Sequence, residues 1–293
     1  MRGEIEEAIA LLKSSDPDSI EKALLLLQQS VFSFSMRVCN QREDAEDTMQ
    51  EVLLKSVPLL SRFENAKALG VWLYKVARSR CLMSRRRSKF APAQDLSLEE
   101  LMPDRTELAA LAKGATLNPE SFAIRSQEAQ WLRETVQKLP PEYRIVLVLR
   151  DMEGLSDEEV AEITGLKPGT MRVRLHRARL FVRKEIARRL GRDRGESNAA
   201  GLHHVQTARP ANCKAMFAEL SDYLDERLDD SLCTELERHM EGCEPCQAFL
   251  SSLENTIVAL RNSKTDSPDP SKARSLRENV LADYRRALSK ALP

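Results

Sequence analysis

"LPPEYRIVLVLRDMEGLSDEEVAEITGLKPGTMRVRLHRARLFVRKEI", residues 139–186, carries the pattern on which the fold of this chain turns. Pro140 and Pro141 suit the start of a helix, where a missing N–H costs little. Ile145, Val146, Val148 and Leu149 give that helix a face for a core, and Gly154 ends it. Ser156 is placed to cap the next helix, Asp157–Thr164, with Glu159 three residues on completing a capping box. Gly165, suited to positive φ, closes that helix, and Pro168 sits near the first turn of another. Helix, tight glycine-containing turn, helix is a helix-turn-helix pattern. In its second helix Thr170, Arg172, Arg174 and Arg177 cluster in the first turns, while Met171, Leu175 and Ala178 supply a packed face. Arginine donors suit both phosphates and the O6/N7 edge of guanine. An Arg-rich face taken alone reads equally as a solvated one; here the caps, the turn and the charge agree.

The charge around this block is uneven. The 293 residues carry a formal net charge of zero, yet Lys167–Arg192 holds ten Lys/Arg against one acid, Glu185. Cys213–Arg261 holds eleven acids against four basic residues. A basic part followed by an acidic part points to an anionic partner for the first and to the second competing for the same surface. No apolar run approaches the roughly 20 residues that span a bilayer, and the N-terminus lacks a signal-peptide pattern. Six cysteines are too few and too unevenly placed for a secreted disulfide scaffold. A cytoplasmic protein without a membrane partner is expected, with its clustered thiols acting as metal ligands or redox groups. The sequence offers neither a Gly-rich phosphate loop nor a Ser/His/Asp set, so an enzyme is not expected.

Upstream, apolar residues recur at helical spacing through Ile20–Arg37, Asp44–Ser61 and Ala66–Arg87, with Ser19 as an N-cap for the first and Pro58 set to kink or end the second. The fold class expected is all-α: two small helical domains, the second with the helix-turn-helix, joined by a linker, plus a C-terminal helical zinc-binding domain. The expected boundaries are 1–90 for the first domain, 91–125 for a linker with a short helix near Leu96–Met102, and 126–192 for the helix-turn-helix domain. A tether at 193–212, a metal domain at 213–262, and a linker with an amphipathic helix (Lys272–Leu292) at 263–293 complete the chain.

Residues 139–179 closely resemble the promoter −35-reading domain of extracytoplasmic-function (ECF) sigma factors. "DAEDTMQEVLLKSVPLLSRF" and "WLYKVARSRCLMSRRR", which follow each other from Asp44 to Arg87, resemble the family's other conserved domain, which docks on RNA polymerase and opens the −10 element. The resemblance spans roughly residues 15–190, with both motifs in the family's order. It implies that Asp44, Asp47, Gln50 and Glu51, one polar helix stripe, meet the clamp helices of the polymerase β′ subunit; the same acids read alone form a solvated face. It also implies promoter DNA as a partner. Arg62–Lys89 holds nine basic residues against one acid, Glu64, and Lys75, Arg78, Arg80 and Arg85 would hold the backbone of melted DNA beside the loop Asn65–Gly70. Trp72 reads as core rather than as a stacking platform. Ser84 stands where the family commonly has an acid. A helix-turn-helix regulator acting without core polymerase, with the zinc module as a docking device, is the alternative.

Near the C-terminus "HMEGCEPC", residues 239–246, sets one imidazole and two thiols at His-x₃-Cys-x₂-Cys spacing. Cys-x₂-Cys puts two thiolates on one metal, and a closed tetrahedral site needs a fourth ligand. Two helices of about 13 residues, turning near Asp229-Asp230, would return Cys213 beside His239. The expected site is Zn²⁺ on Cys213, His239, Cys243 and Cys246, with Cys233 a weaker candidate and His203 and His204 bystanders in the tether. The arrangement resembles the zinc-binding anti-sigma domain, and implies intramolecular contact between the zinc domain and the sigma domains.

Overall fold

The structure is a computed structural model that describes residues 2–13, 16–39, 41–85, 95–103, 107, 126–193, 211–263 and 267–291. Among them there is no strand. The helices in chain order are α1 (Arg2–Lys13), α2 (Pro17–Val38), α3 (Arg42–Ser56), α4 (Ala66–Arg85), α5 (Leu98–Leu101), α6 (Ser126–Lys138) and α7 (Pro141–Leu147). They continue as α8 (Asp157–Thr164), α9 (Pro168–Asp193), α10 (Ala211–Leu224), α11 (Asp230–Glu241), α12 (Glu244–Arg261) and α13 (Pro270–Ala291). None is long and apolar enough to cross a membrane. The chain gathers into two compact units, one of residues 1–93, 144–171 and 264–293, the other of residues 94–143 and 172–263.

The first unit is built on α2. Ile20, Leu24, Leu27, Val31, Phe34 and Val38, spaced three or four apart, are all buried, and α2 packs against α1, α3 and α4 along that stripe. Its N-cap is Asp16 and not the expected Ser19: the Asp16 carboxylate accepts from the Ser19 N–H at 3.0 Å. Pro17 in the first turn fixes the helical φ one residue later. The second helix stops at Ser56, and a 3₁₀ turn carries Val57–Arg62, because Pro58 has no N–H for the α-helical ladder. Two residues the sequence did not pair, Cys39 at the end of α2 and Cys81 on α4, are buried and joined by a disulfide with Cα atoms 5.2 Å apart.

Also in this unit, Val148–Met152 form a π-helical turn after α7, and Gly154 follows at φ +72°. Ser156 Oγ accepts from the Glu159 N–H while the Glu159 carboxylate accepts from the Ser156 N–H at 2.8 Å, the expected capping box. Gly165 adopts φ +71°, a conformation costly for a residue with a Cβ, so the turn into Pro168 forms as the sequence implies. α8 packs on α4, and α13 packs on α2, α3 and the 3₁₀ turn. The fully buried Gln28 anchors α13 from both ends of its carboxamide: it donates to the Ala273 carbonyl at 3.0 Å and accepts from Arg277 at 3.0 Å.

The second unit centres on Leu180 of α9 and on Phe217, Leu220, Leu236, Phe249 and Leu253 of α10–α12, packed as one apolar cluster. Phe217 and Phe249 meet edge to face at 4.7 Å, a geometry favoured by the ring quadrupoles. Asp229 caps α11 by accepting from the Ser231 and Leu232 N–H groups, both at 3.0 Å, so the turn expected near Asp229-Asp230 separates α10 from α11. Leu101, which ends the short α5, and Met102 after it complete the cluster.

Candidate polymerase and DNA surfaces and candidate metal centre

On α3, Asp47 and Gln50 are exposed and Asp44 and Glu51 half-buried. Asp47, Gln50 and Glu51 line an open depression together with Leu54, Lys55 and Arg80; Asp44 does not. Glu51 bridges to Lys55 at 2.7 Å and Arg80 at 2.9 Å. The Lys55 hydrogen bond, followed by the charge of Arg80, holds its carboxyl below the usual range. Leu54 is 38% exposed, so the depression offers an apolar floor with a charged rim, a composition suited to protein docking. The apolar side of α3 also hides an acid that the sequence reading passed over. Glu46 is buried between Arg42 at 3.0 Å and Lys272 at 2.6 Å, with its carboxyl lowered first by the Lys272 hydrogen bond. Its place beside Ala45, Met49 and Val52 was the available signal.

The basic residues of α4 are largely engaged within the first unit. Lys75 pairs with Glu162 at 2.8 Å, Arg78 donates to the Ile163 carbonyl at 3.4 Å, and Arg80 holds Glu51. The Arg85 and Ser84 side chains lie outside the described residues. Trp72 is half-buried against Phe63, ring centres 5.9 Å apart, which fits core packing. Glu153, wholly buried, accepts from Arg37 at 2.8 Å and from the Tyr74 hydroxyl at 2.9 Å. Burial pushes its carboxyl up, and Arg37 and Tyr74 pull it back. Thus α4 meets the residues just ahead of and within α8, and three of the expected phosphate-holding cations already have protein partners.

In α9 the structure exposes Thr170 and Arg172 and buries Met171, Leu175 and Ala178 as the pattern implies. Within the second unit Arg174 reaches Glu142 at 2.6 Å and Arg177 reaches Asp95 at 3.3 Å. The next residues of the same helix were not singled out in the sequence. Arg179, fully buried, makes a two-pronged bridge to Asp225 at 2.8 and 3.1 Å. Arg183 lies over the Phe249 ring at 4.2 Å and pairs with Glu107. Leu175, Arg179 and Arg183 recur at i, i+4, i+8, the spacing of one helix face, so their shared burial could have been read from position despite their charge.

His176 is buried with Nδ1 2.7 Å from Ser221 Oγ. Burial first, then the neighbouring Arg179 and Arg177, pushes its pKa from 6.5 to about 4. Between those values the unfolded chain takes a proton that the folded chain refuses, so the folded state loses stability as pH falls through that window and keeps it above 6.5. Thermal midpoints measured from pH 7 to pH 4.5 should therefore fall more steeply for the native chain than for His176→Gln; parallel curves would refute the assignment.

His239 Nε2 and Cys243 Sγ each lie 3.3 Å from Cys246 Sγ, and the three donor atoms all fall within 4.8 Å of one another. Ligands at about 2.0–2.3 Å from a shared tetrahedral ion sit roughly 3.5 Å apart, so the donor set fits Zn²⁺ in both chemistry and spacing. The α11 terminus supplies His239, and Cys243 and Cys246 flank the entry to α12. Cys213 belongs to the first turn of α10, and its side chain lies outside the described residues, as do His203 and His204. Cys233 is not in the cluster: its thiol faces the Leu228 carbonyl at 3.9 Å, and burial raises its pKa.

Comparison with known proteins bears on all three regions. Residues 25–90 match the "Sigma-70 region 2" family, residues 129–182 the "Sigma-70, region 4" family, and residues 213–247 a zinc-finger family. The chain is 31% identical over 147 residues to the ECF RNA polymerase sigma-E factor of Escherichia coli K12, covering 49% of this chain and 74% of that protein. It is 24% identical over 182 residues to the ECF RNA polymerase sigma factor SigW of Bacillus subtilis, covering 62% and 96%. With the RNA polymerase sigma-H factor of Pseudomonas aeruginosa it shares 26% identity over 186 residues, covering 62% and 93%.

Proposed function

The chain belongs to the ECF RNA polymerase sigma factors, and on that basis we propose that it directs core polymerase to specific promoters in the cytoplasm while its own zinc module restrains it. Asp47, Gln50 and Glu51, with Asp44 beside them, meet the β′ clamp helices. Lys75, Arg78, Arg80 and Arg85 hold melted −10 DNA, and Thr170, Arg172, Arg174 and Arg177 read the −35 element. Cys213, His239, Cys243 and Cys246 hold Zn²⁺, which supplies a cross-link that orders a small helical module. A regulator working without polymerase would have no use for a region 2, which speaks against that alternative.

The restraint is carried by one observation: the helix that presents Thr170 and Arg172 is the helix whose Arg179 and Arg183 are buried against Asp225 and Phe249 of the zinc module. Arg174 and Arg177 are meanwhile held by carboxylates. DNA phosphates and these carboxylates compete for the same guanidinium groups, so reading the −35 element requires their release. The docking of α13 through Gln28 and Glu46 supports a second hold on the polymerase-binding part of the chain.

Asp225→Arg should break the buried bridge and leave Arg179 facing a like charge, a strongly destabilising exchange. Run-off transcription with core polymerase is expected to rise several-fold over the native chain at equal concentration. Unchanged or lower output from a folded variant would count against restraint in cis.

A further inference from the structure

We propose that Cys39 and Cys81 form a reversible thiol–disulfide couple that responds to small peroxides, a redox modification site made of different cysteines from the metal cluster. The two residues are 42 positions apart in sequence and meet because α2 ends where α4 passes. Cys39 is fixed at the end of α2 by its N–H bond to the Ser35 carbonyl at 2.7 Å, and Cys81 sits inside α4. Their Cα separation of 5.2 Å lies within the range a disulfide accepts, so the bond closes and opens without moving either backbone. The Thr48 hydroxyl of α3 lies 3.7 and 3.9 Å from the two sulfurs and offers each a polar partner in an otherwise apolar position.

The ring closed by this bond contains all of α3 with Asp44–Glu51, the 3₁₀ turn and most of α4, which begins at Ala66 and so takes in all but the first residue of the expected Asn65–Gly70 loop. A cross-link removes freedom from the unfolded ensemble of that segment, so the oxidised chain is the more stable form of the part that meets polymerase and the −10 element. Reversibility rests on the proposed function: a factor bound to RNA polymerase works in a reducing compartment, where disulfides are transient and sensing instead of structural. The chemistry of the pair is read independently of transcription.

Both residues are only 2% exposed, which shuts out bulky disulfide oxidants, so the oxidant in this proposal is a small peroxide. One sulfur, as thiolate, attacks the peroxide O–O bond and becomes a sulfenic acid; the hydroxide expelled takes up the proton its thiol gave up and leaves as water. The second thiol then attacks the sulfenic sulfur, its proton departing with that hydroxyl as a second water. Two thiols and one peroxide thus give one disulfide and two waters, the two sulfurs losing the two electrons that the peroxide gains. A small dithiol such as dithiothreitol returns them by exchange.

Peptide mapping of the full chain tests this directly. Trypsin releases VCNQR, residues 38–42, and CLMSR, residues 81–85, so the linked pair has a defined mass. Fully reduced protein treated with one equivalent of hydrogen peroxide, then alkylated and digested, should yield that pair. Glutathione disulfide at the same dose should yield about tenfold less. Dithiothreitol added under native conditions should abolish the pair. The oxidised chain should also unfold several degrees above the reduced one, a gap absent from Cys39→Ala/Cys81→Ala. Separate alkylation of both peptides after peroxide, or a link that native dithiothreitol leaves intact, overturns the proposal.

Discussion

Cys246→Ser is expected to strip the chain of tightly held zinc and to leave residues 211–263 almost unprotected against amide exchange. Cys246 is the hub of the cluster, 3.3 Å from both His239 and Cys243 and itself buried. Its loss therefore removes the donor that adjoins both other ligands of the described cluster. A structural Zn²⁺ site contributes about 10–16 kcal/mol of apparent binding free energy, and a module of this size has too small an apolar core to fold firmly without it. The acids of α10–α12 would remain, but Asp225 and Phe249 would no longer be presented to Arg179 and Arg183. Zinc per chain by elemental mass spectrometry and exchange followed by mass spectrometry report the two consequences separately. One zinc retained per chain, with normal protection, contradicts the assignment of the site.

Reversing two charges on α3, Asp47→Arg with Glu51→Arg, is expected to weaken association with core polymerase roughly a hundredfold. Asp47 is exposed, so its change bears little on folding. Glu51 holds Lys55 and Arg80 at a half-exposed position, where such pairs contribute at most about 1 kcal/mol. The loss should therefore appear in polymerase binding and not in the thermal midpoint. Equal affinity of native and variant chains, measured by anisotropy of a labelled sample, would place the polymerase interface elsewhere. A matched fall in thermal stability would mean that the variant had misfolded and would void the comparison; Asp47→Arg alone then decides.

The helix-turn-helix was legible because its signals are local. A Ser/Glu capping box and a glycine at positive φ act within a few residues and hold whatever the tertiary context. His-x₃-Cys-x₂-Cys was legible for the same reason: its spacing brings three donors together through one helix end and one turn. The cap of α2 was misread because Ser19 and Asp16 both bear capping side chains, and the Pro17 that follows Asp16 decides between them. Tertiary partners were not legible. Nothing in the spacing of Cys39 and Cys81 pairs them; the packing of α2 with α4 does. The sequence names no partner for Glu153, which Arg37 and Tyr74 enclose, and none for Arg179 and Arg183, which Asp225 and Phe249 cover. For Arg179 and Arg183 the helix face can be read from spacing, but in each case the partner comes from a segment distant in sequence, and only the assembled helices bring it there.

Run-off transcription on fragmented genomic DNA, with core polymerase and either the full chain or residues 1–195, tests most directly whether this protein is a promoter-directing factor held back by its own C-terminal part. The expected result is a discrete set of transcript 5′ ends that core polymerase alone does not give, the same with both proteins and more abundant with the shorter one. Transcripts indistinguishable from those of core polymerase alone, with either protein, would contradict it.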